Sequence, residues 1–348
     1  MSDRRQRSVT IFDVARASGV SYSTVSRVLN DFAFVKSTTR QKVLSAANEL
    51  GYVANLQARS LAGGKSNIIG MLVPSLDNGY INVISKSIDE ELSKAGYDLM
   101  VYTTHHKKGK EAQFVNTLTG GLSDGLLLMV PLIEDVRYLE LLQLRNFPYV
   151  LIDQTDEAKK STVVTSSNFQ GSYEATRYLI DLGHKTIGFI TGLMAIHSAR
   201  ERLAGYKAAS QEGNIKFDER LIAEGDFHPT GGYKATQRLL EQRPKPTAIF
   251  ASNDLSAFGA MDAIRNAGLE IPKDISVIGF DDIPQASTTF PKLTTVRQPL
   301  SEIGQTAVKL LLEHVSNPKI KARQVVLETS LIIRDSCRRV KRVKKEND

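Results

Sequence analysis

At 348 residues the chain is long for one domain and suits two or three, and its 41% hydrophobic and 24% charged residues are the balance of a globular protein. No apolar run reaches the ~18–20 residues that cross a bilayer, the amino terminus is basic with no apolar segment behind it, and the lone Cys337 excludes an internal disulfide framework or a CxxC metal knuckle. The net charge of +7 is uneven: residues 1–66 carry 10 Lys/Arg against 4 Asp/Glu, residues 334–348 carry 7 against 3, and the middle is mildly acidic. The expectation is a cytoplasmic protein, without membrane contact, whose small basic head binds a polyanion ahead of a larger body.

Thr10-Ile11-Phe12-Asp13 has the hydroxyl-to-carboxylate spacing of a capping box, and Ile11, Val14, Ala15 and Ser18 follow as a narrow helical stripe. Gly19 stops that helix, with Val20 as a plug beneath the turn. Ser21 caps a second helix that buries Val25, Val28 and Leu29 and closes at Asn30-Asp31. Ser37 opens a third, with Val43, Ala46, Ala47 and Leu50 inward and Gly51 as its stop. Two short helices joined by a glycine turn and supported by a third describe a helix-turn-helix, with a generic three-helix protein-binding module as the rival. On the second helix Tyr22, Ser23, Ser26 and Arg27 face outward, with Thr24 in its first turn. Hydroxyls at a helix start suit phosphates, and an arginine can grip guanine with two hydrogen bonds.

Residues 9–30, Val9 through Asn30, resemble the opening of the LacI/GalR family of bacterial transcription regulators, and later segments extend the resemblance to nearly the whole chain except its basic end. The resemblance implies a DNA-binding set of Thr10, Ser21, Tyr22, Ser23, Thr24, Ser26, Arg27 and Asn30. It also makes residues 55–66 a hinge helix, with Asn55, Ala58 and Leu61 at the minor groove and Leu61 as the wedge in a base step. Such a helix is too short to hold alone. Ala54 stands where the family usually has proline, which leaves the hinge's first residue open. A flexible linker is the plain alternative.

From Asn67 onward, apolar runs at Ile68–Val73, Leu99–Tyr102, Leu126–Val130, Tyr149–Ile152, Thr186–Ile190, Ala248–Ala251 and Val277–Phe280 alternate with helical spacing over Ile84–Ala95, Tyr173–Leu182 and Leu255–Ala267. Continuous rather than alternating runs mark strands buried on both faces, and seven of them suit two doubly wound α/β lobes. Gly96, Gly183 and Gly268 stop the helices. The predicted divisions are a helix-turn-helix domain over 1–54, a hinge over 55–66, a two-lobed parallel-sheet body over 67–334 and a solvated basic tail over 335–348.

Ligands of such sheets bind beyond the carboxyl ends of strands. The resemblance, to a body of periplasmic-binding-protein type, assigns effector contacts to Asp153, Arg202, Phe227, Asn253 and Asp281, with Tyr80 beside them. Asp and Asn after strands are also ordinary helix caps. Ile81 follows Tyr80, so a second aromatic face opposite Phe227 is missing, which favours a sugar or sugar derivative over a purine or nucleoside.

No strand is followed by G-x-G-x-x-G or by a G-x-S-x-G elbow, since Gly121–Gly125 comes before an apolar run rather than after one, and no HExxH occurs, so a dehydrogenase, metalloenzyme or hydrolase gains little support and no cofactor or metal is expected. A soluble sugar receptor would share the body but not the basic head. The expected molecule is a homodimeric regulator, in the first instance a repressor, reading a pseudopalindromic operator under control of a small ligand. The residues after Arg334 lack a leucine heptad, which favours dimer over tetramer.

Overall fold

Asp13 reaches back to the residue that starts its helix, accepting from the Thr10 amide at 2.9 Å and the Thr10 hydroxyl at 2.7 Å. This fixes the start of α1 (Ile11–Ser18) in a computed structural model that describes residues 9–29, 34–52, 65–105, 107, 109–129, 137–156, 158–215 and 218–340. Helix α2 (Tyr22–Leu29) begins under Ser21, whose hydroxyl accepts from the Thr24 amide at 3.2 Å, and α3 spans Ser37–Glu49. Val14, Val25, Val28, Val43, Ala46 and Ala47 form the core of this head, with Val20 against them as expected. Each buried valine contributes about 1.5–3 kcal/mol, so the head stands on a handful of side chains.

Leu50 departs from the expectation: it is 37% exposed. The reason lies in how α3 ends. The Gly51 amide donates to Asn48 and the Tyr52 amide to Ala47, a pair of bonds that turns the chain through a left-handed Gly51 and lays Tyr52 on the core where Leu50 was expected. The same pair of bonds closes three body helices at Gly96, Gly183 and Gly268, all at positive φ. Glycine takes that conformation without the strain a side chain would add.

Within the body, the described residues build two six-stranded sheets. The first contains β1 (Ile68–Val73), β2 (Asp98–Thr103), β3 (Gly125–Leu128), β4 (Tyr149–Ile152), β5 (Thr162–Ser166) and β11 (Gln324–Leu327), in the order β11-β5-β4-β3-β1-β2. The second contains β6 (Ile187–Ile190), β7 (Ile222–Ala223), β8 (Ala248–Ala251), β9 (Ser276–Asp281), β10 (Thr294–Arg297) and β12 (Ser330–Ile332), in the order β12-β10-β9-β8-β6-β7. The chain passes between sheets after β5, β10 and β11. Strand β12 runs antiparallel to β10, while β9 and β8 pair in parallel with their neighbours. Every residue of β1 and β9 is buried, which is why both read as unbroken runs in the sequence.

The helices that serve the site are α4 (Gly79–Lys94), α5 (Lys110–Thr119), α6 (Arg137–Leu144), α7 (Asn168–Asp181), α8 (His197–Glu212), α9 (Pro229–Leu240), α10 (Asp254–Asn266) and α11 (Leu300–Ser316). None of the helices among the described residues is long and apolar enough to cross a membrane.

The end of the chain differs from the solvated tail expected from residue 335. Ser336 is fully buried: its hydroxyl donates to the Val277 carbonyl at 2.6 Å and accepts from the Thr294 amide at 2.8 Å. Farther on, the Arg338 amide donates to Ser276 Oγ at 3.1 Å and the Val340 amide to the Leu182 carbonyl at 2.9 Å. Backbone groups at the start of β9 pair with this segment, the Val277 amide donating to the Ser336 carbonyl at 2.9 Å, a tie that local charge does not reveal. Burial also pushes the Cys337 thiol up to about 12, so it behaves as a packed apolar group. Residues 341–348 lie outside the described residues.

Candidate DNA-reading helix and effector cleft

At the start of α2 three hydroxyls meet: Ser21 Oγ lies 2.9 Å from Ser23 Oγ and 2.8 Å from Thr24 Oγ1. They satisfy one another beside the positive end of the helix dipole, which gives an approaching phosphate ready hydrogen-bond partners. Tyr22, Ser23 and Arg27 are exposed, Thr24 and Ser26 half-buried, and Thr10 is exposed but tied to Asp13. Asn30, Asn55, Ala58 and Leu61 lie outside the described residues.

Sequence reasoning passed over Phe12. Its ring is 62% exposed and stacks on Tyr22, with centroids 5.1 Å apart and planes 20° from parallel. The signal was present, since Phe12 falls off the Ile11/Val14/Ala15 stripe and an aromatic there has no core to enter.

In the body, Tyr80, Asp153, Arg202, Phe227, Asn253 and Asp281 all line a single cavity of about 160 Å3. Asp153 follows β4, Asn253 follows β8 and Asp281 ends β9, as the strand-end rule requires. Tyr80 stands in the first turn of α4, Arg202 in the second turn of α8 and Phe227 just before α9. Asp153, Phe227 and Asp281 hold positive φ values of 54°, 67° and 117°. For side chains other than glycine that costs on the order of 1–3 kcal/mol each, which the surrounding packing must offset. Gly192 makes room for one of them: a methyl group there would collide with the Phe227 ring.

Arg202, only 3% exposed, organises the floor. Its Nε donates to Asn168 Oδ1 at 2.8 Å, its Nη1 donates to the Ser252 carbonyl at 2.6 Å and lies 3.5 Å from Asp281 Oδ1. The guanidinium carbon sits 3.8 Å from the Phe280 ring centroid and 5.9 Å from that of Phe227. Burial, opposed by Arg202 and a hydrogen bond from Gln298 and aided by the Asp153 carboxylate, raises the Asp281 carboxyl to about 7. Asp153 is raised as well, first by burial, with Arg202 and its hydroxyl neighbours pulling down. The Tyr80 hydroxyl is buried with no hydrogen bond closed, and burial together with the two carboxylates holds its proton on.

Asn253 fulfils its plain reading as a cap. Its Oδ1 accepts from the Ser256 amide at 2.9 Å and its Nδ2 donates to the Phe227 carbonyl at 3.0 Å, so both ends serve the protein and its effect on a ligand runs through Phe227. Asp282 turns away to Arg297 and Arg334 at 2.7 and 2.6 Å. Asn78, in the stretch after β1, also lines the cavity, as do Ser198, Asp226 and His228, to which the sequence assigned no role. Among the described residues no group of three or more His, Cys, Asp or Glu could hold a metal ion. What the arrangement offers is hydrogen bonding around one ring-sized space beside an aromatic face.

Residues 10–55 match bacterial regulatory proteins of the lacI family, and residues 176–337 match the periplasmic binding protein-like domain. The chain is 36% identical over 328 residues to the HTH-type transcriptional repressor PurR of Escherichia fergusonii, spanning 94% of this chain and 96% of that one. Among solved structures it is similar to the Lac repressor dimer bound to operator and the anti-inducer ONPF, with 32% identity and a TM-score of 0.81 over 95% of this chain and 100% of that one. It is also similar to a transcriptional regulator CelR–cellobiose complex, with 30% identity and a TM-score of 0.73 over 94% and 99%. A basic three-helix head, a two-lobed body with a polar cleft and these likenesses over nearly the full length lead to one conclusion: the chain belongs to the LacI family of bacterial DNA-binding transcription regulators.

Proposed function

We infer that this regulator is a homodimeric repressor without catalytic activity, whose grip on a pseudopalindromic operator depends on a small molecule in the interlobe cleft. The observation that carries the effector half is the convergence of Asp153, Arg202, Phe227 and Asp281 on one cavity of about 160 Å3. A cavity of about 150 Å3 holds one six-membered ring, so the occupant is one sugar ring or one base rather than a long chain. Carboxylates beside an arginine form paired hydrogen bonds with vicinal hydroxyls, and Phe227 supplies the apolar plate on which a sugar ring lies. On the DNA side Tyr22, Ser23 and Arg27 read bases, the Ser21 and Thr24 hydroxyls meet phosphate, and Asn55, Ala58 and Leu61 serve the hinge.

A nucleobase is the second reading. It is favoured by the half-buried Phe227 ring on the cavity wall and by the likeness to PurR, and opposed by the buried aliphatic Ile81, which lines the cavity beside Tyr80 where a further aromatic ring would suit a base. The test has two arms. Selection from random duplexes should yield a twofold-symmetric site, and thermal-shift screening of the full chain against sugars, nucleosides and bases should yield a stabilising compound that alters affinity for that site. Absence of any preferred duplex would reject the regulator's proposed mode of action. A preferred duplex whose affinity no compound alters would reject effector control.

A further inference from the structure

The balance of charge in the cleft restricts what can enter it. Three carboxylates among the described lining residues, Asp153, Asp226 and Asp281, stand against Arg202, the one lysine or arginine there. Glu201, behind Asp153, adds to the negative field. Arg202 is moreover partly committed to the protein, because Nε and Nη1 serve Asn168, Ser252 and Asp281 and its charge is set against Asp281. Proteins hold phosphate with clustered cations or with free amides at helix starts. Helix starts do border this cleft, but they carry the protein's own caps. Asn78 takes the Tyr80 amide, Asp226 the His228 amide and Asn253 the Ser256 amide, each at 2.9 Å.

The unmet groups point the other way, toward a ligand that donates. The buried Tyr80 hydroxyl closes no full hydrogen bond, and Asp153 has only loose hydroxyl neighbours, Tyr80 beside it and Ser198 at 3.5 Å. Both side-chain contacts of Asp281 fall on Oδ1, which leaves Oδ2 for a ligand. We propose that the cleft admits an uncharged ligand rich in hydroxyl or N–H donors and rejects the phosphorylated form of the same compound. This rests on the cleft being the effector site. Such discrimination would let the regulator sense a free sugar or base while ignoring its activated, phosphorylated relative.

Matched pairs test this on the full-length chain by calorimetry and thermal shift at about pH 8, where acidic side chains with ordinary or modestly raised pKa values are ionised. The probes are glucose, ribose and cellobiose beside their phosphate esters and adenosine and guanosine beside their monophosphates, with adenine and guanine as further neutral compounds. At least one neutral member should bind, with its phosphorylated partner at least about a hundredfold weaker, because like charges brought together across a site repel strongly. Asp153→Asn should narrow that gap by improving the phosphorylated member. A phosphorylated compound binding as well as its parent would overturn the selectivity while leaving the effector site intact. Stabilisation by inorganic phosphate beyond that of chloride at equal ionic strength would also overturn it, as would an unchanged gap in Asp153→Asn. If no compound of either kind binds, the proposal fails together with the effector reading for these classes.

Discussion

Gln298 donates its side-chain amide to Asp281 Oδ1 at 2.7 Å, joining the residue that follows β10 to the residue that ends β9. The other end of Gln298 accepts from Ser166 Oγ at 2.5 Å, at the close of β5 in the opposite sheet. The path returns through Arg202 to Asn168, whose Nδ2 donates to the Ser166 carbonyl at 3.1 Å. Five buried residues thus form a ring that ties two cleft residues to two of the segments where the chain passes between lobes. A ligand that pulls on Asp281 or Arg202 therefore pulls on the crossovers as well.

Gln298→Leu should break this ring with little change in volume. It strands the Ser166 hydroxyl and removes a hydrogen bond that favours the charged form of Asp281, and an unsatisfied buried polar group costs about 1–3 kcal/mol. The expected outcome is a lower urea midpoint for the body, accompanied by weaker coupling between ligand and operator. A variant with the parent's midpoint and coupling would remove Gln298 from the communication.

The strands that could be read from sequence were those buried on both faces: Ile68–Val73, Tyr149–Ile152 and Ala248–Ala251 are unbroken apolar runs and match the structure residue for residue. Thr162–Ser166, Thr294–Arg297 and Gln324–Leu327 were not foreseen, because threonine, serine and glutamine interrupt their apolar pattern. The last also leaves alternate residues exposed. In the cleft, Asp153, Asn253 and Asp281 were legible because a strand end announces each. Asp226 and His228 follow β7, only two residues long, and offered no such cue. The buried ring was out of reach, since its Arg202–Asn168 and Gln298–Ser166 contacts join residues 34 and 132 positions apart.

Asp281 supplies a pH test whose sign can be worked out. Its carboxyl titrates near 3.8 when free and near 7 in the fold, with Arg202, Gln298, Asp153 and the buried Asp254 as its polar surroundings. Between those values the folded state holds the proton that the unfolded state has lost. The stability it contributes is complete below the lower value and is lost as pH rises through the upper one. Asp281→Asn cannot titrate, so the variant should gain on the parent by about 1–3 kcal/mol as pH rises from about 5 to about 8. Thermal denaturation at matched pH values checks this, and a constant difference across the range would contradict it.

Arg27 and Phe12 test the reading face of the head. Arg27 is exposed, and its loss in Arg27→Ala should cost about 1–3 kcal/mol at a selected operator and relax base preference at one position in each half-site. Phe12→Ala removes the ring stacked on Tyr22 without touching the valine core. Head melting should hold steady while operator affinity falls. Equal binding to selected and random duplexes by parent and variants alike would refute both roles.

Arg202 is a poor choice for testing the cleft, because removing it strands Asp281, Asn168 and the Ser252 carbonyl in a buried site, and breaking such a set costs about 3–5 kcal/mol in stability. Gly192 offers a cleaner route. A methyl group there meets the Phe227 ring, and Phe227 already holds a left-handed backbone conformation tied down by Asn253. The ring has to leave its place or press into the cavity, while the buried sheets are untouched. Overpacking of this kind costs about 1–3 kcal/mol. Gly192→Ala should therefore keep the parent's operator affinity and lose most of its ligand-induced thermal shift. Phe227→Ala, which empties the same space, should weaken binding by removing the plate rather than by blocking the room. If both variants bound ligand as the parent does, the aromatic face would have no part in recognition.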